Sequence, residues 1–242
     1  MHQADSIFEA LANLYEYLSI YYRNEYFFRN EIINNIYWSR HDLSISHMYS
    51  EFSVGKSRTD LAIFNGTSTC YEIKTEIDSL RRLEGQISDY IRFFDRVYVA
   101  ITEERLRDAI DLLPVEVGII VLTDSGIFES RNAESNIDNI DPVRVFNSLR
   151  QAEQISIASN YEPTVLNLGP IEGYFKAKEI FSSLNPHLAH MEFMSAVKSR
   201  KSVREDQQFR QLPRFLGGAY VATKMTKSMW TQLIHRLFQS MG

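Results

Sequence analysis

The chain has 242 residues, of which 44% are hydrophobic and 24% charged, and its net charge is −5. That length can bury a hydrophobic core without disulfides or metals, and the single cysteine, Cys70, excludes an intrachain disulfide. No stretch approaches the roughly 20 apolar residues of a membrane helix, and the first residues lack the pattern of a secretory signal. The composition therefore predicts a cytoplasmic protein and argues against a membrane protein.

Apolar residues at helical spacing open the chain. They predict one helix over residues 5–20 and a second over residues 25–38, with Asn24 as the N-cap of the second. The pattern then changes to alternation, and residues 51–54, 59–64 and 69–75 predict three short antiparallel strands. The pair Asn65-Gly66 between the last two strands is a strong signal for a hairpin turn.

Helical and strand-like segments alternate in the middle of the chain. Helices are predicted over residues 79–94 and 103–113, and strands over residues 97–101, 117–122 and near 127–128, with a turn at residues 124–126 between the last two. Beyond Asp141-Pro142, which opens a helix, the pattern is almost all helical. We therefore predict an α/β fold, a mixed sheet flanked by helices with a C-terminal helical region.

The charge divides the chain into two parts. The C-terminal segment 198–242 has nine Lys and Arg residues and two acidic residues, a net charge of +7 on an otherwise acidic chain. With the Pro and Gly residues near 160–170 as a boundary, we predict a core over residues 1–160 and a basic helical region over residues 161–242. The basic residues either meet phosphates or an acidic partner, or they solvate helices and pair with the acidic body.

Asp60, Glu72 and Lys74 form the pattern with the clearest chemistry. Side chains alternate along a strand, so Glu72 and Lys74 share one face while Tyr71 and Ile73 point to the apolar core. The hairpin brings Asp60 to the neighbouring strand, about 4.8 Å away. Two close carboxylates repel each other unless a cation compensates, and Mg²⁺ is usually held by one or two carboxylates. A nearby lysine can position an attacking water.

These residues resemble the signature of the PD-(D/E)XK phosphodiesterase superfamily, which has the restriction-endonuclease-like fold. Gln86 and Tyr90 also resemble the Gln-x-x-x-Tyr motif of its RecB-like and lambda-exonuclease-like branch, and residues 24–122 resemble a small bacterial nuclease-like family. Thr59 stands where many members have a proline, and one cysteine cannot hold the iron–sulfur cluster of some RecB-like members. The resemblance implies a nuclease-like core over residues 1–160.

The resemblance also implies the cofactor and the site. Mg²⁺, for which Mn²⁺ is a substitute, is expected on Asp60, Glu72 and Ile73. Lys74, Gln86 and Tyr90 complete the catalytic set. The family adds a glutamate from the first core helix. Glu25 and Glu31 cannot both point at the site, and Glu25 is favoured because it starts the helix as in the small family. Glu51 is a third candidate with a weaker case.

Two functions from different classes remain open. The first is a metal-dependent nuclease that hydrolyses DNA in preference to RNA, in a bacterial defence or mobile-element context. The second is a catalytically silent binding protein on the same fold, such as an immunity protein, an antitoxin or an interaction subunit. The partners expected are nucleic acid and no membrane, with a homodimer or a protein partner also open. An intact set of Asp60, Glu72 and Lys74 favours the enzyme.

Overall fold

The fold consists of one mixed sheet with helices on both faces. A computed structural model describes residues 5–37, 46–123, 126–200, 212–223 and 225–239. The strands are β1 (His47–Val54), β2 (Ser57–Asn65), β3 (Thr67–Lys74), β4 (Arg96–Thr102), β5 (Gly118–Thr123) and β6 (Gly126–Arg131). The helices are α1 (Ile7–Tyr21), α2 (Glu25–Ile32), α3 (Leu83–Tyr90), α4 (Leu106–Leu112), α5 (Pro142–Ser148), α6 (Gln151–Tyr161), α7 (Pro170–Ser182), α8 (Pro186–Ser199), α9 (Gly217–Ala222) and α10 (Lys227–Leu237).

The six strands lie in the sheet in the order of the sequence, from β1 to β6. Pairing is antiparallel from β1 to β3, parallel from β3 to β5, and antiparallel between β5 and β6. Strand β5 is almost wholly buried, and its run of Ile119 to Leu122 is apolar without alternation, as expected of a parallel strand covered on both faces. The predicted α/β fold with a mixed sheet and a C-terminal helical region is confirmed.

Two hydrophobic clusters cover the two faces of the sheet. The first includes Phe64 and Val99 from the strands and extends through α3 and α5 to α8, reaching Phe193 and Val197. The second, here the α2-side cluster, includes Leu61 and Ile63 from the strands together with α2, α9 and α10. The C-terminal helices are therefore divided between both faces of the sheet, and the domain boundary near residue 160 stays a prediction.

Helix α2 begins where the sequence predicts it. Asn24 is its N-cap, because the Asn24 side chain accepts a hydrogen bond from the amide of Phe27. The α-helical part ends at Ile32 and continues as a π-helical turn over Ile33–Tyr37, and the predicted end at residue 38 lies outside the described residues. Helix α5 opens with Asp141 as N-cap and Pro142 at its first turn, as predicted.

The predicted helix over residues 79–94 is shorter in the structure. It begins with a 3₁₀ turn over Leu80–Arg82, and α3 then ends at Tyr90. Phe93 and Phe94, which continue the apolar spacing, are buried from a turn that leads into β4. The predicted turn after β5 falls on residues 124 and 125, which lie outside the described residues. None of the helices in the described ranges is long and apolar enough to cross a membrane.

Candidate active site

Strands β2 and β3 separate at Asp60. Their backbone pairing runs from the hairpin to Leu61 opposite Tyr71. Beyond that point, side chains of β2 bind the backbone of β3: the amide of Ile73 donates to Asp60 Oδ2 at 2.6 Å, and Thr59 Oγ1 donates to the carbonyl of Tyr71 at 3.0 Å. The separation leaves the Asp60 carboxylate between the two strands, next to Glu72.

Glu72 lies at the centre of the site and is 2% exposed. Lys74 Nζ donates to Glu72 Oε1 at 2.7 Å and Gln86 Nε2 donates to the same oxygen at 2.6 Å. The Tyr90 hydroxyl donates to Glu72 Oε2 at 2.8 Å. Three predicted site residues therefore bind the carboxylate of a fourth, and Lys74 is itself only 8% exposed.

Helix α3 brings Gln86 and Tyr90 to this carboxylate. Residues four apart on a helix share one face, and Leu83, Ile87 and Tyr90 on that side of α3 belong to the first hydrophobic cluster. The helix thus packs on the sheet face from which Glu72 and Lys74 project. The side-chain oxygen of Gln86 is buried and accepts no hydrogen bond from the described residues, which leaves an acceptor next to Glu72.

The carboxyl group of Asp60 is held in an unfavourable environment for its charge. Burial and, after it, the charge of Glu72 raise the pKa of Asp60 to about 7, and the charge of Glu25 adds to the effect. The hydrogen bond from Ile73 and the charge of Arg29 act in the opposite direction. Burial and the charge of Glu72 likewise raise the pKa of the Tyr90 hydroxyl, so Tyr90 stays a donor to the carboxylate.

Glu25 is the candidate from α2 whose charge acts on Asp60. It lies in the first turn of α2, is about half exposed, and forms an ion pair with Arg29 one turn later. Glu31 points elsewhere, accepting hydrogen bonds from the Tyr15 hydroxyl and the Asn35 side chain. Of the two glutamates, Glu25 is the one whose charge acts on Asp60, and its role in the site stays a prediction.

The third glutamate, Glu51, forms an exposed ion pair with Arg58 at 3.0 Å. Its φ of 56° is the one positive φ of a residue other than glycine within the described ranges. The distortion lies on β1 opposite Asp60 of β2, since the pairs on either side are Ser50 with Leu61 and Phe52 with Thr59. No contact in the described residues gives Glu51 a place in the site.

The arrangement suits a divalent cation in part. Asp60 and Glu72 supply two carboxylates that repel each other, as the raised pKa of Asp60 indicates. Mg²⁺ is usually held by one or two carboxylates together with waters and phosphate. Ile73 contributes its amide to Asp60, while its side chain is buried in the α2-side cluster. No group of three or more His, Cys, Asp or Glu side chains in the described ranges is arranged to hold a metal ion.

A cleft of about 450 Å³ opens beside the site. Glu25 and Thr75, the residue after Lys74, are part of its lining. The end of α1 and the segment that follows it also line the cleft, with Ile20, Tyr21 and Tyr22.

Two residues near the site were missed by the sequence interpretation. Thr59 was noted only as a substitute for proline, yet it is fully buried and binds the β3 backbone. The Arg29 side chain is 11% exposed, and its charge acts on Asp60. In the sequence, its position four residues after Glu25 indicates that the two side chains can pair on one face of α2. Arg81 and Arg82 precede α3, where the sequence favours a solvated first turn over contacts with a substrate phosphate, and both are exposed.

The pair His187-x-x-His190 of α8 has no acidic or Cys residue at ligand spacing in the sequence, which predicts two ordinary surface histidines, and the structure departs from this at His190. His187 is exposed and lies 3.2 Å from Asp138. His190 is 5% exposed and its Nε2 is hydrogen bonded to Ser68 Oγ at 2.8 Å, which attaches α8 to β3. The interpretation of His190 was wrong because its partner lies 122 residues away in the sequence.

Of the nine basic C-terminal residues, the structure describes some and not others. Arg200 binds both carboxylate oxygens of Glu153 at 2.8 Å, so this residue pairs with the acidic body. Four others lie outside the described residues: Lys201, Arg204, Arg210 and Lys224.

Comparisons with known proteins give a family. A protein named Protein cII from Enterobacteria phage P4 is 30% identical over 94 residues, which are 39% of this chain and 33% of that protein. The match thus spans about one third of the relative's length. A structure of the SPO1766 protein of unknown function from Silicibacter pomeroyi is 18% identical and covers 49% of this chain and 82% of that one, with a TM-score of 0.33, too low to support an argument. The family model described as Bacteriophage P4 protein cII matches residues 19–214, and the chain therefore belongs to that family.

Proposed function

We propose that the protein is a metal-dependent nuclease that hydrolyses phosphodiester bonds, with DNA favoured over RNA. The observation that supports the proposal best is the convergence of Lys74, Gln86 and Tyr90 on Glu72, with Asp60 beside it. Five residues chosen from the sequence for one chemistry meet at one point, although they come from β2, β3 and α3. The phage origin of the relative agrees with a mobile-element context.

Asp60 and Glu72 would hold the cation, with Glu25 close enough to act on Asp60. When bound, Mg²⁺ supplies positive charge that neutralises these carboxylates and polarises the phosphate. Lys74 would position the attacking water and stabilise charge on the phosphate in the transition state. Gln86 and Tyr90 hold Glu72 in place, and the buried acceptor oxygen of Gln86 is available to orient the water.

One observation favours the second candidate, a silent binding protein. Both oxygens of Glu72 already accept hydrogen bonds, two at Oε1 and one at Oε2, so the carboxylate is satisfied by the protein itself. In a site that only stabilises the fold, these hydrogen bonds would be the whole role of the four side chains. In an enzyme, Lys74 must exchange part of its contact with Glu72 for the water and the phosphate.

Cleavage of labelled duplex DNA, single-stranded DNA and RNA, with Mg²⁺, Mn²⁺ or EDTA, tests the proposal. We expect metal-dependent cleavage that falls by about 100- to 10,000-fold in Lys74→Ala, the range for loss of a group that assists proton transfer. The matched control is Lys198→Ala, which removes an exposed lysine at the end of α8 and should keep full activity. Absence of cleavage of every substrate, together with no Mg²⁺ binding by calorimetry, would support the binding protein.

A further inference from the structure

The cleft beside the site has an aromatic and aliphatic wall open to solvent. Tyr21 is 70% exposed, Tyr22 51% and Ile20 60%, and Ile77 on the other side is 76% exposed. Single exposed apolar residues are common on protein surfaces and need no explanation. Four of them line one concave space together with polar side chains, so the cleft offers two rings and two aliphatic side chains to a ligand at one place.

The position of the cleft connects it to the candidate active site. Its lining contains Glu25, whose charge acts on Asp60, and Thr75, which directly follows Lys74 in the chain. A substrate group in the cleft would therefore lie close to the bond on which Lys74 and Asp60 act. Its volume of about 450 Å³ lies within the usual range of small-ligand sites.

The charge of the lining determines what fits. Four carboxylates, Glu25, Glu76, Asp78 and Glu104, line the cleft with one cation, Arg23. A phosphate would be repelled by this surface, whereas an uncharged flat group would not. Of the parts of a nucleic acid, the base is uncharged and offers a π face, and base–aromatic stacking contributes about 1–3 kcal/mol per base.

We propose that this cleft binds an unpaired nucleobase next to the scissile phosphate, stacked against Tyr21 and Tyr22. This inference rests on the proposed nuclease function and makes single-stranded nucleic acid, or the unpaired end of a duplex, the substrate class. In a duplex the same base would first have to leave its stack and its partner, which costs a few kcal/mol. Stacking on the tyrosines requires an unpaired base but does not depend on which base it is, since every base has a π face.

Binding is measured by fluorescence anisotropy in the presence of Mg²⁺. The parent protein is Lys74→Ala, which keeps the carboxylates of Asp60 and Glu72 and prevents cleavage. The probes are a labelled strand of about twelve nucleotides, its duplex, and a strand of equal charge in which every base is missing. The variants are Tyr21→Ala with Tyr22→Ala, and Tyr21→Phe with Tyr22→Phe, which keeps the rings. Phe175→Ala, which removes an exposed aromatic residue of α7 outside the cleft lining, is the matched control.

We expect the parent to bind the single strand more tightly than the duplex and the baseless strand. The double alanine variant should lose about 5- to 100-fold in affinity for the single strand, become unable to distinguish it from the baseless strand, and melt at the parent temperature. The double phenylalanine variant and Phe175→Ala should bind as the parent does.

Two outcomes separate the subsite from the proposed function. Equal binding of single strand and duplex, or an unchanged affinity in the double alanine variant, overturns the subsite even if the wild type cuts in a Lys74-dependent manner. Tyrosine-dependent binding of single strands by a wild type that cuts nothing supports the subsite as a binding surface and overturns the nuclease.

Discussion

Asp60 combines burial with a nearby negative charge, and both effects oppose its ionisation. Its carboxyl group has a pKa of about 7, which is above the ordinary range of an aspartate. A residue selected only for stability would not be placed in this way, since its ionised form destabilises the fold. Strongly raised carboxyl pKa values next to a second carboxylate are typical of functional sites.

The first prediction concerns the pH dependence of stability. In the unfolded chain Asp60 loses its proton at its ordinary pKa, whereas in the folded protein it loses the proton near pH 7. Its contribution therefore disfavours folding increasingly as the pH rises from about 4 to 7. Asp60→Asn keeps an acceptor for the Ile73 amide. We expect its free energy of unfolding, relative to that of the wild type, to increase by on the order of 1–3 kcal/mol from pH 4.5 to pH 8.

Urea denaturation of both proteins at these two pH values measures the effect. Asp111→Asn, which changes an exposed aspartate at the end of α4, is the control and should show no such gain. A constant difference between Asp60→Asn and wild type at both pH values would contradict an ionisation penalty at Asp60.

The second prediction concerns Mg²⁺. A ligand that binds only the folded protein stabilises it, by about 2.7 kcal/mol at one hundred times its Kd. We expect saturating MgCl₂ at pH 8 to raise the melting temperature of the wild type by about 5–11 °C. The shift should disappear in Asp60→Asn and persist in Asp111→Asn. The same shift in both variants would place the bound ion elsewhere.

At the scale of elements, the turn between β1 and β2 is fixed to helices α3 and α5. Asp89 of α3 accepts hydrogen bonds from the Lys56 amide, Ser57 Oγ and Arg144 Nη1 of α5. Burial alone would raise the pKa of Asp89, but the hydrogen bonds from Arg144 and Ser57 outweigh burial and lower the pKa. The connection matters for the site because Tyr90 follows Asp89 directly on α3.

The third prediction uses two turn glycines with similar backbones. Gly55 and Gly66 have φ values of 59° and 72°, so alanine is strained at either position. A Cβ at Gly55 would lie 2.5 Å from Arg144 Nη1, whereas a Cβ at Gly66 meets nothing within 4 Å. We expect Gly66→Ala to cost about 1 kcal/mol and Gly55→Ala to cost roughly 1–3 kcal/mol more.

Chemical denaturation gives both values, and their difference reports the contacts with Arg144 and Asp89 because the backbone strain is shared. Equal losses in the two variants would show that the turn is not held against α5.

Local patterns predicted most of the site, while contacts distant in sequence were not predictable. Strand alternation placed Glu72 and Lys74 on one face, and helical spacing did the same for Gln86 and Tyr90. The separation of β2 from β3 depends on side-chain to backbone bonds of Thr59, for which a threonine in a strand gives no sign. The burial of His190 likewise depends on Ser68, far along the chain, so its helix alone indicated a surface residue.

At the scale of the whole molecule, Arg200 forms an ion pair between the basic C-terminal segment and the acidic body. Its guanidinium, 9% exposed, binds Glu153, which is 14% exposed, through two hydrogen bonds. The hydrogen bonds from Arg200 and Arg150 also hold the pKa of Glu153 below its usual range against the opposing effect of burial. The net charge of a segment therefore overstates the charge that it offers to a ligand.

The fourth prediction separates structure from nucleic-acid binding at this residue. Removal of one partner from a buried pair leaves an uncompensated charge, so Arg200→Ala should cost about 2–4 kcal/mol of unfolding free energy. The slope of the logarithm of nucleic-acid affinity against the logarithm of salt concentration should not change, because that slope counts phosphate contacts. Lys198→Ala, which is exposed, is the control for stability. A flatter slope in Arg200→Ala would make Arg200 a phosphate contact.

The division of the C-terminal helices between both faces of the sheet affects how the chain can fold during synthesis. The α2-side cluster draws Phe215, Tyr220 and Trp230 from the last described segments, while Leu61 and Ile63 come from a hairpin made much earlier. While the ribosome is still adding these segments, one face of the sheet can be complete and the other remains partly uncovered. Exposed apolar surface on such nascent intermediates promotes aggregation. Slowed translation before residue 212 would therefore prolong a stage in which the chain exposes apolar surface and is prone to aggregation.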